Sequence, residues 1–155
     1  DIKPENIIVD NYTATLIDFG IAGNIGRETK KPNNPKPNTL SDEDQTLLLT
    51  MSGKIAGTPN CMAPEQFEET TLHPSLDTYG IGMTLFYSFS DQRPFKNLDN
   101  SLIYFKKRNS TFPPERCYDL KLSVFISELT SPKPQERPTI NEIQNQLREY
   151  TNSTD

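Results

Sequence analysis

Four side chains near the start of the chain have the types and spacing that phosphate chemistry requires. Asp1, Lys3 and Asn6 lie in one short segment, and Asp18 follows after a stretch that predicts a β-hairpin. Phosphoryl transfer needs little covalent help from a protein. Catalysis depends on oxygen ligands for Mg²⁺, on a carboxylate near the attacking hydroxyl group, and on a cation that stabilises the negative charge developing on the phosphate. These four residues supply each of those parts.

The hairpin is predicted from two apolar runs with turn-forming residues between them. An apolar run at 7–9 is followed by turn-prone residues at 10–12 and by a second apolar run at 16–17. Because a hairpin returns the chain on itself, we expect Asn6 and Asp18 to lie close together.

The opening letters DIKPEN resemble the catalytic loop of a eukaryotic-type protein kinase from its Asp onward, and the letters IDFG resemble the magnesium-binding segment of that family. The resemblance implies that Asp1 is the catalytic base and that Asn6 and Asp18 bind the Mg²⁺, or alternatively Mn²⁺, that accompanies ATP. It also implies that Lys3 contacts the transferred phosphate, as in the serine/threonine branch. Each motif alone is also consistent with an ordinary turn or a solvated loop.

A third motif, GTPNCMAPEQF, is similar to the substrate-docking loop of the family, which ends in Ala-Pro-Glu. The resemblance implies that Gly57 and Thr58 belong to this docking loop and that Thr58 hydrogen-bonds both Asp1 and Lys3. Cys61 stands where many relatives have an aromatic residue, so the docking surface is expected to differ in shape. Without this context the same letters indicate a turn entering a short helix.

Two further matches imply structural support for the site. The letters PQERPT resemble the family motif whose Arg pairs with the Glu of Ala-Pro-Glu, so we expect Arg137 to contact Glu65. Asp77 matches the Asp at the start of the central helix, which accepts backbone hydrogen bonds from the catalytic loop. The alternatives are that Arg137 is an ordinary exposed arginine and that Asp77 is a first-turn carboxylate favoured by the helix dipole.

Residues 21–56 are polar and proline-rich, which predicts a long mobile loop. The resemblance identifies this loop as the activation segment. Thr50 and Ser52 lie near its end, where the family often carries a regulatory phosphate, and Thr46 is a weaker candidate. The same residues are equally consistent with plain loop hydroxyls.

Apolar periodicity predicts several helices in the second half of the chain. Ser75 is expected to cap the first, which is apolar on nearly all sides and therefore buried. The next starts at Asp99 or Asn100, and the last begins with a capping box of Thr139 and Glu142. The apolar positions of the four helices are Leu76, Tyr79, Ile81, Met83, Leu85, Phe86 and Phe89; Leu102, Ile103 and Phe105; Leu120, Leu122, Phe125, Ile126 and Leu129; and Ile140, Ile143, Leu147 and Tyr150.

Composition argues against several other classes of protein. The net charge of −5 gives no basic footprint for nucleic acid or an anionic membrane. Two cysteines and one histidine are too few for a disulfide framework or a Cys/His metal site. The longest apolar stretch, at 79–89, is too short to span a bilayer, and no signal peptide is recognised. We therefore expect an intracellular, cytoplasmic protein.

The predicted fold is α+β, namely the mostly helical C-terminal lobe of a protein kinase with one small hairpin near its cleft. It occupies residues 1–151, with a frayed tail at 152–155. The family motifs that precede the catalytic Asp, such as the glycine-rich loop and the strand lysine, are absent. We therefore expect the chain to be a fragment that lacks the N-terminal lobe and is inactive and poorly soluble alone.

The predicted function is ATP-dependent transfer of phosphate to serine or threonine hydroxyls of a protein substrate. One alternative is a pseudokinase or scaffold that only holds partners, but nothing about holding a partner requires Asp1, Lys3, Asn6 and Asp18 together. A small-molecule kinase of related fold is another alternative, and the peptide-docking letters GTPNCMAPE argue against it.

Overall fold

The structure is a computed structural model that describes residues 1–20, 22–23, 57–67, 72–109 and 120–152. These residues contain one two-stranded sheet, four α-helices and three short 3₁₀ helices. The α+β class predicted from the sequence agrees with this content.

Most of the predicted activation segment lies outside the described residues. This holds for the candidate phosphorylation positions Thr46, Thr50 and Ser52, which stay predictions. Residues 153–155 of the expected tail also lie outside.

The predicted hairpin is confirmed. Strand β1 (Ile7–Asp10) pairs antiparallel with strand β2 (Thr13–Leu16), so that the first residue of β1 faces the last residue of β2. Asn11 and Tyr12 form the turn, with φ angles of 44° and 65°. Two successive positive φ angles match the twist of the strands, which explains why such a short turn suffices.

Helix α1 (Ser75–Phe89) is the centre of the hydrophobic core. Tyr79, Met83 and Phe86 are its fully buried side chains of largest volume. The expected burial on all sides is wrong at the C-terminal end of the helix, where Phe89 is 47% exposed. The core continues through Cys61, Ala63, Phe95, Ile103 and Ile126.

The expected cap of α1 is wrong. Ser75 is the first helical residue, and Pro74 occupies the capping position without a side-chain hydrogen bond to the helix. The Ser75 amide instead donates to Nδ1 of His73 at 3.2 Å. The amides of Asp77 and Thr78, which a capping Ser75 hydroxyl would accept, donate to the Pro74 carbonyl oxygen at 3.1 and 3.3 Å.

The other helices are α2 (Asn100–Asn109), α3 (Leu120–Leu129) and α4 (Ile140–Asn152). The predicted start of α2 is confirmed, since Asp99 Oδ1 accepts the Leu102 amide hydrogen at 2.9 Å. Helix α4 extends two residues beyond Tyr150, into the region expected to be frayed. In the described parts of the chain, no helix combines the length and the apolar character needed to cross a membrane.

The capping box of α4 is also confirmed. The Thr139 amide donates to Glu142 Oε2 at 2.7 Å, and the Glu142 amide donates to Thr139 Oγ1 at 3.3 Å. Each side chain thus accepts the amide hydrogen of the other residue, which satisfies two donors at the start of the helix.

Several apolar positions predicted to pack are exposed. Phe105 is 63% exposed and Leu120 is 73% exposed, while Leu102 and Leu147 are roughly half exposed. Helical spacing identifies an apolar face, but it does not specify whether another element covers that face.

Two glycines of α1 allow close approach of neighbouring segments. A Cβ atom at Gly82 would lie 2.7 Å from both Leu129 Cβ and Thr130 Cγ2, and a Cβ atom at Gly80 would lie 3.0 Å from Ile2 Cβ. The first contact sets the distance between α1 and the end of α3. The second brings the N-terminal segment against α1.

We predict that Gly82→Ala lowers the free energy of unfolding by ~1–3 kcal/mol, because the methyl group overpacks the contact with the end of α3. Urea denaturation of the purified protein measures this change. Ser88→Ala, at an exposed position of the same helix, is the matched control and should change stability much less. Equal stabilities of the Gly82→Ala variant and the wild type would contradict the packing described here.

Candidate active site

The first segment of the chain is held in a tight turn. Residues Pro4–Asn6 form a 3₁₀ helix, and proline suits its first position because no amide hydrogen is needed there. The Asn6 side chain is only 6% exposed, and its Nδ2 donates to the Asp1 carbonyl oxygen at 2.9 Å. This bond closes the turn across the segment.

The structure brings together Asp1, Lys3 and Thr58, as expected from the resemblance. Lys3 Nζ lies 2.5 Å from Asp1 Oδ2 and 2.8 Å from Thr58 Oγ1. The Thr58 amide donates to Asp1 Oδ1 at 3.0 Å. Both carboxylate oxygens are therefore held, and the ammonium group is placed directly beside them.

Gly57 precedes this threonine with a φ angle of 113°, in the left-handed region. Side chains with a Cβ atom rarely adopt this backbone, so glycine is required where the loop turns towards Asp1. Backbone geometry thus explains why glycine occupies position 57 of the docking loop.

Asn6 and Asp18 lie at the same end of the hairpin. The Ile17 amide donates to the Asn6 carbonyl oxygen at 2.8 Å, which continues the pairing of the strands by one step. Asp18 follows with a φ angle of 61°, and its Oδ1 accepts the Gly20 amide hydrogen at 3.0 Å. A non-glycine residue in this region is strained, and such strain is typical of functional sites.

The chemistry of this pair fits a hard cation such as Mg²⁺. The Asn6 amide nitrogen is engaged by Asp1, which leaves the amide oxygen as a ligand, and Asp18 supplies a carboxylate. Within the described ranges, no group of three or more His, Cys, Asp or Glu side chains is arranged to hold a metal ion. Water and the phosphate oxygens of a nucleotide would complete the ligands of such a cation, which is the usual way Mg²⁺ binds with nucleotides.

Glu65 and Arg137 form a two-pronged ion pair across 72 residues of sequence. The Arg137 Nη1 and Nη2 atoms lie 2.5 and 2.8 Å from the two Glu65 carboxylate oxygens. Arg137 is buried and also donates to the carbonyl oxygens of Ser131 and Ser75. The predicted contact is present, and it links the end of the 57–67 loop to the start of α1.

Asp77 lies in the first turn of α1 with an exposed side chain. It lines a cavity of about 30 Å³ together with Asp1, Ile2 and Gly80. The hydrogen bonds expected from the catalytic loop to its carboxylate are not found among the described residues. Its supporting role stays a prediction.

Sequence analysis missed Lys107, which lies beneath the 57–67 loop. Its side chain is 1% exposed, and its Nζ donates to the carbonyl oxygens of Asn60 and Met62 at 2.9 and 2.6 Å. Burial lowers the pKa of this lysine to about 7. One feature of the sequence could have identified Lys107 as buried. It lies four residues after Ile103, which places both side chains on the same face of α2.

Two buried cations meet the ring of Tyr79. Lys107 Nζ lies 5.0 Å and Arg137 Cζ lies 4.8 Å from the ring centroid, both within cation–π range. Burial also raises the pKa of the Cys61 thiol to about 11. Burial outweighs the opposing effect of Lys107, so Cys61 is a neutral thiol near pH 7 and not the thiolate that acts as a nucleophile.

Comparison with known proteins agrees with this geometry. The family model described as Protein kinase domain matches residues 1–147. The chain is 30% identical to CBL-interacting protein kinase 32 of Oryza sativa subsp. japonica, over 92% of this chain and 29% of that protein. It is 29% identical to serine/threonine-protein kinase PknD of Chlamydia felis, over 83% of this chain and 14% of that protein.

A third relative is the striated muscle preferentially expressed protein kinase of Danio rerio, 28% identical over 94% of this chain and 4% of that protein. The chain belongs to the protein kinase family. It spans less than a third of the length of each of these three relatives.

We predict that Arg137→Met lowers the free energy of unfolding by ~3–5 kcal/mol, because it leaves the Glu65 carboxylate without its partner. Adding Glu65→Met to this variant should cost less than the sum of the single changes, since the two residues interact. Urea denaturation of all four proteins gives this double-mutant cycle. Additive effects would contradict a direct ion pair.

The matched control for this cycle is the exposed pair of Lys133 and Glu136, whose Nζ and Oε1 atoms lie 2.7 Å apart. Lys133→Met should leave the free energy of unfolding almost unchanged, because water screens exposed pairs.

We predict that Lys107 makes stability rise with pH above about 7. The unfolded chain binds a proton at this lysine up to its ordinary pKa of 10.5, whereas the folded chain releases it near 7. Between these values the unfolded state binds more protons, so the free energy of unfolding increases as pH increases. Lys107→Met removes this contribution.

Urea denaturation at a series of pH values from about 6.5 to about 8.5 tests the prediction through the difference between wild type and Lys107→Met. The wild type should gain stability relative to this variant as pH rises. Lys106→Met, at an exposed neighbour, should follow the wild type. Parallel curves for wild type and Lys107→Met would show that Lys107 does not titrate in this range.

Proposed function

We propose that this chain carries the catalytic and peptide-docking residues of an ATP-dependent serine/threonine protein kinase. The observation that carries the proposal is the contact of Thr58 with both Asp1 and Lys3. A loop more than fifty residues away in sequence thereby meets the residues suited to phosphate chemistry. This contact is expected if the loop presents a hydroxyl-bearing peptide to Asp1.

In this proposal each residue has one task. Asp1 accepts the proton of the substrate hydroxyl, and Lys3 lies against the phosphoryl group as its negative charge develops. Asn6 and Asp18 hold Mg²⁺ or Mn²⁺ with ATP, and the cation neutralises phosphate charge when it is bound. Thr58 keeps the Asp1 carboxylate oriented, so little reorganisation is needed at the moment of transfer.

Two arguments favour serine and threonine as acceptors. Lys3 occupies the position that resembles the serine/threonine branch, and the chlamydial relative is named a serine/threonine-protein kinase. We extend this specificity to the present chain, with a protein as the substrate. We also propose an intracellular, cytoplasmic location, where ATP is available.

We further propose that the described helices and hairpin are those of the C-terminal lobe, with residues 21–56 as activation segment within a partial kinase domain at 1–151. The resemblance supports this arrangement, because DIKPEN, IDFG and GTPNCMAPEQF occur in the order in which the family carries its catalytic loop, magnesium-binding segment and docking loop. Thr50 or Ser52 would then be the position of a regulatory phosphate.

We predict that Asp1→Asn and Asp18→Ala each lower phosphate transfer by about a hundredfold or more, because one removes the base and the other a metal ligand. The assay uses radiolabelled ATP, Mg²⁺, a basic acceptor protein and the full-length natural protein. Asp10→Asn, at an exposed position of the same hairpin, is the matched control and should retain activity within about twofold.

Label on serine and threonine that depends on both residues supports the proposal. A folded wild type that transfers no more phosphate than the variants would favour the scaffold function. Transfer to a small hydroxyl compound in preference to protein would favour a small-molecule kinase.

A further inference from the structure

Lys107 is a buried cation without a carboxylate partner among the residues that the structure describes. Lysine is almost never fully buried unless it is paired. The carboxylate that acts on it from the loop, Glu65, is engaged by Arg137. The Lys107 ammonium group instead lies 5.0 Å from the Tyr79 ring centroid and 4.9 Å from the Phe95 ring centroid. Its burial therefore needs an explanation other than an ion pair.

The hydrogen bonds of Lys107 supply that explanation. Both of its carbonyl acceptors, at Asn60 and Met62, belong to the turn of the docking loop. An apolar side chain of similar length would suit the aromatic pocket but would leave these two carbonyl oxygens without a donor. Buried carbonyl groups without a donor are costly. The two hydrogen bonds to the loop therefore explain why this position is a lysine, whereas packing in the core does not.

The same turn is closed internally at Thr58. The amides of Cys61 and Met62 both donate to the Thr58 carbonyl oxygen, at 2.9 and 3.1 Å. Thr58 in turn donates its amide hydrogen to Asp1. A continuous series of hydrogen bonds therefore runs from Lys107, through the turn at 58–62, to the Asp1 carboxylate.

We propose that Lys107 is a positioning residue that holds the turn at 58–62 and so sets both the peptide-docking surface and the orientation of Asp1. Its effect on the peptide rests on the kinase function proposed above. Its effect on the turn does not, because the hydrogen bonds exist without a substrate.

The position of Lys107 also makes the turn sensitive to pH. The charged or titratable groups that face it are Cys61 and Glu65 from the loop, Tyr79 from α1, and Arg137 after the 3₁₀ helix Pro134–Glu136. Burial dominates and lowers the pKa of Lys107 to about 7, with Arg137 acting in the same direction. If release of the turn exposes Lys107 to water, its pKa returns towards 10.5. Loss of the proton therefore favours the ordered turn.

Amide hydrogen exchange on the full-length protein tests the positioning role without any substrate. In Lys107→Met the amides of Cys61 and Met62 should exchange about tenfold faster than in wild type, since two anchoring hydrogen bonds are lost. The Ile143 amide, which donates to the Thr139 carbonyl oxygen at the start of α4, is the internal reference and should not change. Lys106→Met is the matched control and should exchange like wild type.

Steady-state kinetics test the consequence for the proposed reaction. Lys107→Met should raise the KM for a serine-containing peptide about tenfold and leave the KM for ATP within about twofold, because the turn contacts the peptide side of the site. In wild type the peptide KM should fall as pH rises from about 6 to about 8, and this fall should be absent in Lys107→Met. A purely structural lysine would alter both KM values together or neither.

Three outcomes would decide against the proposal or separate it from the kinase function. Unchanged exchange at Cys61 and Met62 in a folded Lys107→Met variant overturns it. If that variant does not fold, Lys107→Gln takes its place, because its shorter side chain keeps a polar group in the pocket but lacks the reach of lysine to both carbonyl oxygens. Unchanged exchange at Cys61 and Met62 in this variant also overturns the proposal. If wild type transfers no phosphate, the kinase proposal fails, while the exchange data still decide the role of Lys107.

Discussion

The structure depends on how the 57–67 loop is held against the core. This loop is mostly irregular backbone, and Cys61, Met62 and Ala63 within it are buried. Arg137 pairs with the Glu65 side chain, and Lys107 donates to the carbonyl oxygens of Asn60 and Met62. Both basic side chains lie against the ring of Tyr79. Burying charge is costly, so these residues contribute a specific loop conformation more than net stability. That conformation places Thr58 beside Asp1.

The hairpin positions Asp18 through backbone hydrogen bonds alone. Its two-residue turn aligns the strands, and the hydrogen bond from Ile17 to Asn6 carries the pairing one step further. Asp18 then leaves the ladder in a left-handed conformation, stabilised by the Gly20 amide. A carboxylate held on strained but hydrogen-bonded backbone is well suited to bind a cation, because its position does not depend on side-chain packing.

Features set by neighbouring residues were predictable from the sequence. The hairpin follows from two apolar runs around a turn, and the start of α4 follows from Thr139 and Glu142, because the groups involved are within a few residues of each other. The cap of α1 was mispredicted by one residue although its groups are also local. The amides of Asp77 and Thr78 donate to the Pro74 carbonyl oxygen, so the helix begins at Ser75, a position that serine and the preceding proline both allow.

The residue types needed for phosphate chemistry, the order of the motifs and the local elements that carry them can all be read from the sequence. Contacts such as Thr58 with Asp1 and Arg137 with Glu65 were expected only because the motifs resemble those of a known family. Tertiary structure alone decided which apolar faces are covered, as the exposed Phe105 and Leu120 show. It alone decided the role of Lys107 too. Burial changes a lysine from a solvated surface charge into a donor for two distant carbonyl groups, and burial is a property of the whole fold.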